Sequence, residues 1–320
     1  MLRSFLIYLS QAAWARQMVT GWSFAWRAAS RFIAGEKLED AIRVVKELNA
    51  RGITATLDHL GEHTSDEAKA VQAAGDILEA LKTIDQTGVR CNVSIKLTQI
   101  GLALDEELCA QNLQRILEYS EAHGTFVRID MEDSPWVEQT LGMYRRMRAE
   151  CGCQNLGVVI QAYLYRSAED VEKLASEGAR IRLCKGAYKE PEEIAFPNKS
   201  DVDANYDRLA AKLIDAALKH SAPEISENGR IPPIPGIATH DDKRVEFVKE
   251  YIQKVGLPKS ALEFQMLNGI RRDLQEQLAG QGYPVRVYVP YGTEWYPYFT
   301  RRLAERPANL WFFLLNFFRK

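Results

Sequence analysis

Eight short runs rich in β-branched and other apolar residues recur along the chain, separated by stretches with helical spacing, and this alternation limits the fold more than any single motif does. The runs cover 53–58, 92–97, 126–131, 157–162, 180–185, 236–240, 262–267 and 284–289. Segments such as 66–87, 105–123, 135–150, 201–220 and 242–255 carry helix formers behind acidic or Ser/Asp starts. Strands apolar on both faces need cover on both, which argues for a closed parallel (βα)8 barrel of the TIM type rather than an open sheet. The 320 residues suffice for one such domain. The long Pro- and Gly-rich stretch 221–235 reads as a loop, not a domain boundary.

The two ends have a different character. Residues 1–35 contain no acidic side chain, while Arg3, Arg16, Arg27 and Arg31 punctuate aromatics that include Trp14, Trp22 and Trp26. The pattern predicts an amphipathic N-terminal helical arm over 1–35 that lies on an anionic membrane surface. An organellar transit peptide is the alternative. A secretory signal fits less well, because the apolar run 5–9 is shorter than the roughly 7 to 15 residues such a core has. An apolar aromatic tail occupies 308–320, shorter than the about 20 residues a helix needs to cross a bilayer. The catalytic barrel is expected over 36–307.

Net charge is −2, so nothing general points to nucleic acid. The five cysteines fit a reducing compartment, and Cys151 and Cys153 lack the second ligand pair of a metal site and read as loop thiols.

In a barrel of this kind the chemistry belongs at the C-terminal strand ends. Polar residues gather there: Asp58 and His59, Lys96, Asp130 and Glu132, Gln161, Arg182 and Lys185, Thr239 and His240, Gln265, Tyr288. Any one of them has a structural explanation, and Asp130 with Arg182 can be a buried ion pair. Near the C-terminus, Tyr298, Arg301, Arg302 and Glu305 share one helix face. Two adjacent guanidiniums repel unless an anion answers them, and their planar forks suit a carboxylate. Pairing of Glu305 with either arginine on a solvated helix is the plain alternative. No GxGxxG or Walker loop occurs. His59, Glu62 and His63 spell H-x-x-E-H, but Gly61 puts that copy on a turn rather than the helix a zinc site requires, so no metal is expected.

The pieces TLDHLGE from Thr56, SIKLTQ from Ser94, VRIDMED from Val127, VIQAYL from Val159, RLCKGAY from Arg182, ATHD from Ala238, FQML from Phe264 and WYPYFTRRLAER from Trp295 follow one another in an order that resembles the proline dehydrogenase family in its short single-activity form, from about Phe32 to Arg306. Two departures, Cys184 for a usual Val and Asn268 for a frequent Tyr, fall beside the flavin site that the resemblance implies. It also implies an FAD enzyme that oxidises L-proline to Δ1-pyrroline-5-carboxylate, passes electrons to a membrane quinone, and leaves the product to a separate pyrroline-5-carboxylate dehydrogenase. A cytoplasmic protein held peripherally at the inner membrane face is implied, with a mitochondrial address as the alternative.

Residue by residue, the resemblance has Arg301 and Arg302 hold the proline carboxylate with help from Lys96. Tyr288 and Tyr298 wall the ring, and Asp130 and Arg182 sit near the reacting centre. Met131, Gln161, Lys185, Gly186, Ala187, Thr239 and His240 match flavin-contacting positions, and Glu305 supports the closing helix. Hydroxyproline oxidation is the nearest rival, and Tyr288 favours proline over it. A folate-reducing flavin barrel and a zinc hydrolase built on His59, Glu62 and His63 are more distant.

Overall fold

The computed structural model describes residues 26–305 apart from Ala28, Glu62 and His63, with only the backbone of 303–305. The bulk of the expected arm, the tail 308–320, and two of the three H-x-x-E-H side chains lie outside the described residues. Strands β1 (Thr54–His59), β2 (Cys91–Ile95), β3 (Val127–Ile129), β4 (Leu156–Gln161), β5 (Arg180–Cys184), β6 (Pro235–Ala238), β7 (Glu263–Leu267) and β8 (Val285–Tyr291) form a parallel barrel in sequence order. Closure comes from β8 beside β1, with Ala55 opposite Val287 on one side and Cys91 on the other. The expected (βα)8 architecture is the observed one.

Around it run α1 (Leu38–Asn49), α2 (Glu67–Thr87), α3 (Glu106–Ala122), α4 (Val137–Glu150), α5 (Ser167–Ser176), α6 (Lys199–Lys219), α7 (Asp242–Val255), α8 (Arg272–Gly280) and α9 (Trp295–Glu305). The acidic starts read from the sequence act as N-caps: Asp66 accepts from the Lys69 N–H at 2.9 Å and Asp105 from that of Leu108 at 2.8 Å. Pro135 falls instead in a 3-10 turn, Ser134–Trp136, so α4 begins two residues later than the pattern suggests. Helix α2 stops at Gly88, whose φ of 65° only glycine adopts cheaply. The main core lies between barrel and helices, where Val45, Leu81, Leu113, Ile116 and Ile214 are fully buried. Each such side chain contributes about 1.5–3 kcal/mol.

A second, smaller apolar cluster positions the mouth. Ala29, Phe32 and Ile33 pack with Leu60, Ile270, Trp295, Tyr296 and Phe299, and Trp26 meets Trp295 edge-on at 5.4 Å. The Ala34 N–H donates to the Pro290 carbonyl at 2.9 Å and that of Gly292 to the Gly35 carbonyl at 3.0 Å. Trp26, Ala29, Phe32 and Ile33 of the expected arm therefore belong to the barrel's packing, because they cover the aromatic back of α9. Among the described residues no helix is long and apolar enough to cross a membrane.

Candidate active site

Side chains two apart on a strand share a face, and the inward ones meet across the barrel. Arg182 on β5 donates from Nη1 to Asp130 Oδ1 at 2.7 Å and to Ser94 Oγ on β2 at 3.0 Å, and from Nε to Gln265 Oε1 on β7 at 2.5 Å. These strands are not neighbours, so the contacts cross the interior. Tyr288 on β8 donates to Asp130 Oδ2 at 2.7 Å while its ring lies 5.2 Å from the Arg182 guanidinium. Burial, reinforced by the Asp130 charge, holds the Tyr288 hydroxyl well above its ordinary pKa, so it stays a proton donor. Lys96 Nζ lies 3.1 Å and 3.2 Å from the two carboxylate oxygens of buried Asp58.

These groups open into a cavity of about 350 Å³. Its lining brings together Lys96, Asp130, Arg182, Tyr288, Tyr298, Arg301 and Arg302 with Met131, Gln161, Lys185, Gly186, Ala187, Thr239 and His240. Of the residues expected to hold substrate or flavin or to support them, Glu305 alone has a side chain outside the description. Helix α9 supplies the roof: Arg302 is 8% exposed and its guanidinium stacks 5.1 Å from the Tyr298 ring, while Arg301 is half-buried.

The opposite wall is built from the ends of β4, β5 and β6. Gln161 donates to the Glu132 carbonyl at 2.9 Å and accepts from the Ala187 N–H at 3.1 Å, so its amide direction is set from both sides. Gly186 has φ of 134°, and a Cβ there would run into the Tyr163 ring. Lys185 Nζ sits between Asp203 at 2.5 Å and Asp241 at 2.6 Å. Burial pushes the Asp241 carboxyl up, but the Lys185 hydrogen bond and charge outweigh it and bring the group down to about 2. His240 Nε2 accepts from the Leu267 N–H at 3.0 Å, which leaves Nδ1 to carry the proton of the neutral ring.

Three expectations need correction. Glu132 turns away from the cavity and takes Thr98 N–H at 3.1 Å and Thr98 Oγ1 at 2.5 Å, because its side chain is the buried anchor of the loop after β2. Asn268 is not part of the cavity wall: its amide donates to the Phe32 carbonyl at 3.2 Å and ties down the N-terminal segment. Cys184, the other departure, does line the cavity, and burial pushes its thiol up to about 12. His59 points to Tyr291, with ring centroids 5.1 Å apart, rather than into the cavity. Among the described residues no cluster of three His, Cys, Asp or Glu could hold a metal ion. Ser94 and Asp203 were not singled out. Ser94 lies two residues before Lys96 on the same inward face, a signal present in the sequence, whereas Asp203 sits inside a helix and carries none.

A closed barrel whose mouth pairs Asp58 with Lys96 and Asp130 with Arg182, under a helix that adds two more arginines, has the form of a (βα)8 enzyme with a cation-rich mouth. The comparisons with known proteins narrow this. The sequence model described as proline dehydrogenase matches residues 41–313. Proline dehydrogenase 1 of Bacillus subtilis (strain 168) is 42% identical over 323 residues, 100% of both chains, and proline dehydrogenase of Deinococcus radiodurans is 42% identical over 287 residues, 89% of this chain and 88% of its own. A crystal structure of proline utilization A (PutA) from Bdellovibrio bacteriovorus, inactivated by N-propargylglycine, superposes with a TM-score of 0.78 at 27% identity over 88% of this chain, which spans 33% of that longer one. The chain belongs to the proline dehydrogenase family, oxidoreductases whose general reaction is the flavin-dependent oxidation of proline.

Proposed function

We propose that this enzyme oxidises L-proline to Δ1-pyrroline-5-carboxylate with FAD as its flavin. The observation that carries the reading is the pairing of Arg301 and Arg302 on α9 with the Asp130, Arg182 and Tyr288 group across one cavity. Proline offers little surface, so its carboxylate is the main handle. Two guanidiniums fixed on a helix, one of them stacked on Tyr298, orient the ring by that handle. Tyr288 and Tyr298 wall the cavity. Asp130 accepts hydrogen bonds from Arg182 and Tyr288, which fix its carboxylate at the cavity, where it can meet the substrate nitrogen. Tyr288, kept protonated, is a donor there and not a base. The substrate nitrogen must shed its proton before hydride leaves the neighbouring carbon, so turnover rises toward alkaline pH.

The wall opposite α9 fits a flavin. Packing of Gly186 against the Tyr163 ring and the Ala187 N–H bond to Gln161 fix the backbone of that wall; the Gln161 carboxamide offers it a polar edge, and Lys185 Nζ with the His240 Nδ1–H adds donors. When bound, the flavin supplies the hydride acceptor. Arg182 places a cation beside that wall, where it favours an anionic reduced ring.

The electron acceptor in this reading is a membrane quinone, and the protein docks on the cytoplasmic membrane face through its acid-free N-terminal residues, with Arg3 and Arg16 adding about 1 kcal/mol each near an anionic surface. The product passes to a separate pyrroline-5-carboxylate dehydrogenase. The deciding experiment is the visible spectrum of the purified protein before and after anaerobic proline. A flavin that bleaches supports cofactor, substrate and reaction together, and a colourless protein, or a flavin that proline leaves oxidised, overturns them.

A further inference from the structure

We infer that Gln265 is a positioning residue for Arg182, and that the buried Glu263 beneath it fixes which end of the Gln265 amide Arg182 meets. Glu263 is fully buried on β7, and Gln265, two residues on, shares its inward face. Gln265 Nε2 donates to Glu263 Oε1 at 2.7 Å, and Gln265 Oε1 accepts from Arg182 Nε at 2.5 Å. A carboxylate can only accept and a guanidinium can only donate, so the amide has one satisfied orientation and the reverse one breaks both contacts. Glu263 is itself pinned, because its Oε1 also takes Arg286 Nε at 2.8 Å at the base of the barrel.

The consequence falls on Arg182. With Nε held by Gln265 and Nη1 held by Asp130 and Ser94, the guanidinium plane is set by acceptors on three elements. Nη2 takes no protein acceptor among the described residues, and Arg182 lines the cavity, so that edge is left for whatever the cavity holds. Gln265 thus transmits the fixed charge of the floor to the orientation of a cation at the mouth. The inference rests on the flavin reading above: an oriented Arg182 stabilises the reduced flavin more than one that rocks about its Asp130 contact.

The test is the midpoint potential of the bound flavin, with proline kcat and KM measured alongside. Gln265→Met and Gln265→Asn each remove the relay. The reduced form should lose about tenfold relative to the oxidised form, a potential lower by ~30 mV for a two-electron couple. KM for proline should stay within about twofold, because α9 is untouched, so that the loss appears in kcat. Gln265→Glu is the conservative rescue: sharing one proton with Glu263, it donates downward and accepts from Arg182, and its potential should return toward wild type. Unchanged potentials in the Met and Asn variants, with flavin bound and proline still reducing it, overturn the inference. So does a Gln265→Glu potential as low as that of Gln265→Met. If no Gln265 variant folds with flavin bound, the residue is structural and the inference fails as well. A wild-type protein whose flavin is not reduced by proline is a different outcome, and sinks the functional reading instead.

Discussion

The same barrel carries two layers of buried charge, one at its floor and one at its mouth, and they are finished differently. At the floor Arg286 and Glu263 are 1% and 0% exposed. The remaining Arg286 nitrogens are spent on backbone, Nη1 on the Ala55 carbonyl at 2.6 Å and Nη2 on that of Gly229 at 2.8 Å. Arg230 likewise donates to the Ile84 carbonyl at 3.0 Å. At the mouth the Asp130 and Arg182 pair is 13% and 9% exposed and opens on the cavity. Pairing alone therefore does not mark a functional site. What separates the layers is exposure: the floor pair is all but sealed, although Arg286 touches the cavity and Glu263 Oε2 takes no hydrogen bond among the described residues, whereas the mouth pair is more open to it.

The contrast is broken most directly at the floor. Arg286→Met strands the Glu263 carboxylate in the interior, and removing one partner of a buried pair costs about 3–5 kcal/mol. Urea unfolding should show that loss, and the double variant Arg286→Met with Glu263→Leu should recover much of it. A single variant as stable as wild type would mean that the floor pair is dispensable. Asp130→Asn at the mouth leaves Arg182 facing the cavity instead of sealed in the interior, so it should cost less stability than Arg286→Met, yet lower turnover by roughly 100-fold. Next in size come Arg301→Lys and Arg302→Lys. Each exchanges a fork for a point charge and should lose about 1.5–3 kcal/mol of proline binding in kcat/KM. The buried, stacked Arg302 should lose more than Arg301. Kinetics equal to wild type in both would remove the carboxylate clamp.

How much of this could be read from the sequence follows from the same two layers. The barrel was legible because each strand is a compact apolar run between helical patterns, and the mouth because strand ends are where polar residues interrupt such runs. The floor was not singled out, although its signal is there. Arg286 precedes Tyr288 by two residues, Glu263 precedes Gln265 and Arg128 precedes Asp130, so each pair shares an inward face. An arginine early in an apolar strand reads as an edge of the run, and only closure of the barrel shows it to be inside. The Lys185 clasp was illegible for another reason: Asp203 reaches it from the second turn of α6, a tertiary contact that no period along the chain announces. Trp26, Phe32 and Ile33 were assigned to a membrane arm because their partners on α9 lie more than 250 residues away.

A smaller effect sharpens the mouth side. Tyr288→Phe deletes one hydrogen bond to Asp130 and should cost about 0.5–1.5 kcal/mol in kcat/KM, with the ring contact to Arg182 retained. Tyr288→Ser removes the ring as well and opens space beside the substrate. The ratio of kcat/KM for proline to that for hydroxyproline should then narrow, and an unchanged ratio would mean that Tyr288 does not face the bound ring.

The smallest effect tests whether exposure alone separates the layers. Lys185 joins Asp203 and Asp241 at the rim, and Asp241 is 24% exposed, unlike the sealed floor pair. The Asp241 carboxyl lies at about 2, below the ordinary 3.8. A depressed folded-state value means the unfolded chain binds more protons in that window, so the contribution is present above pH 3.8 and is lost as pH falls toward 2. Solvent screening limits it to a few tenths up to about 1 kcal/mol. Thermal melts from pH 5 to pH 2 should show a downward slope that is reduced in Asp241→Asn. Raising salt to about 1 M, where the Debye length is roughly 3 Å, should flatten the same slope. The deficit of Arg286→Met should hardly change with salt, because no solvent reaches that pair. If salt erases both deficits equally, the floor is not sealed in solution and the distinction between the layers collapses. If it erases neither, the rim clasp is as dry as the floor, and Lys185 is held for a ligand behind a closed wall rather than at an open edge.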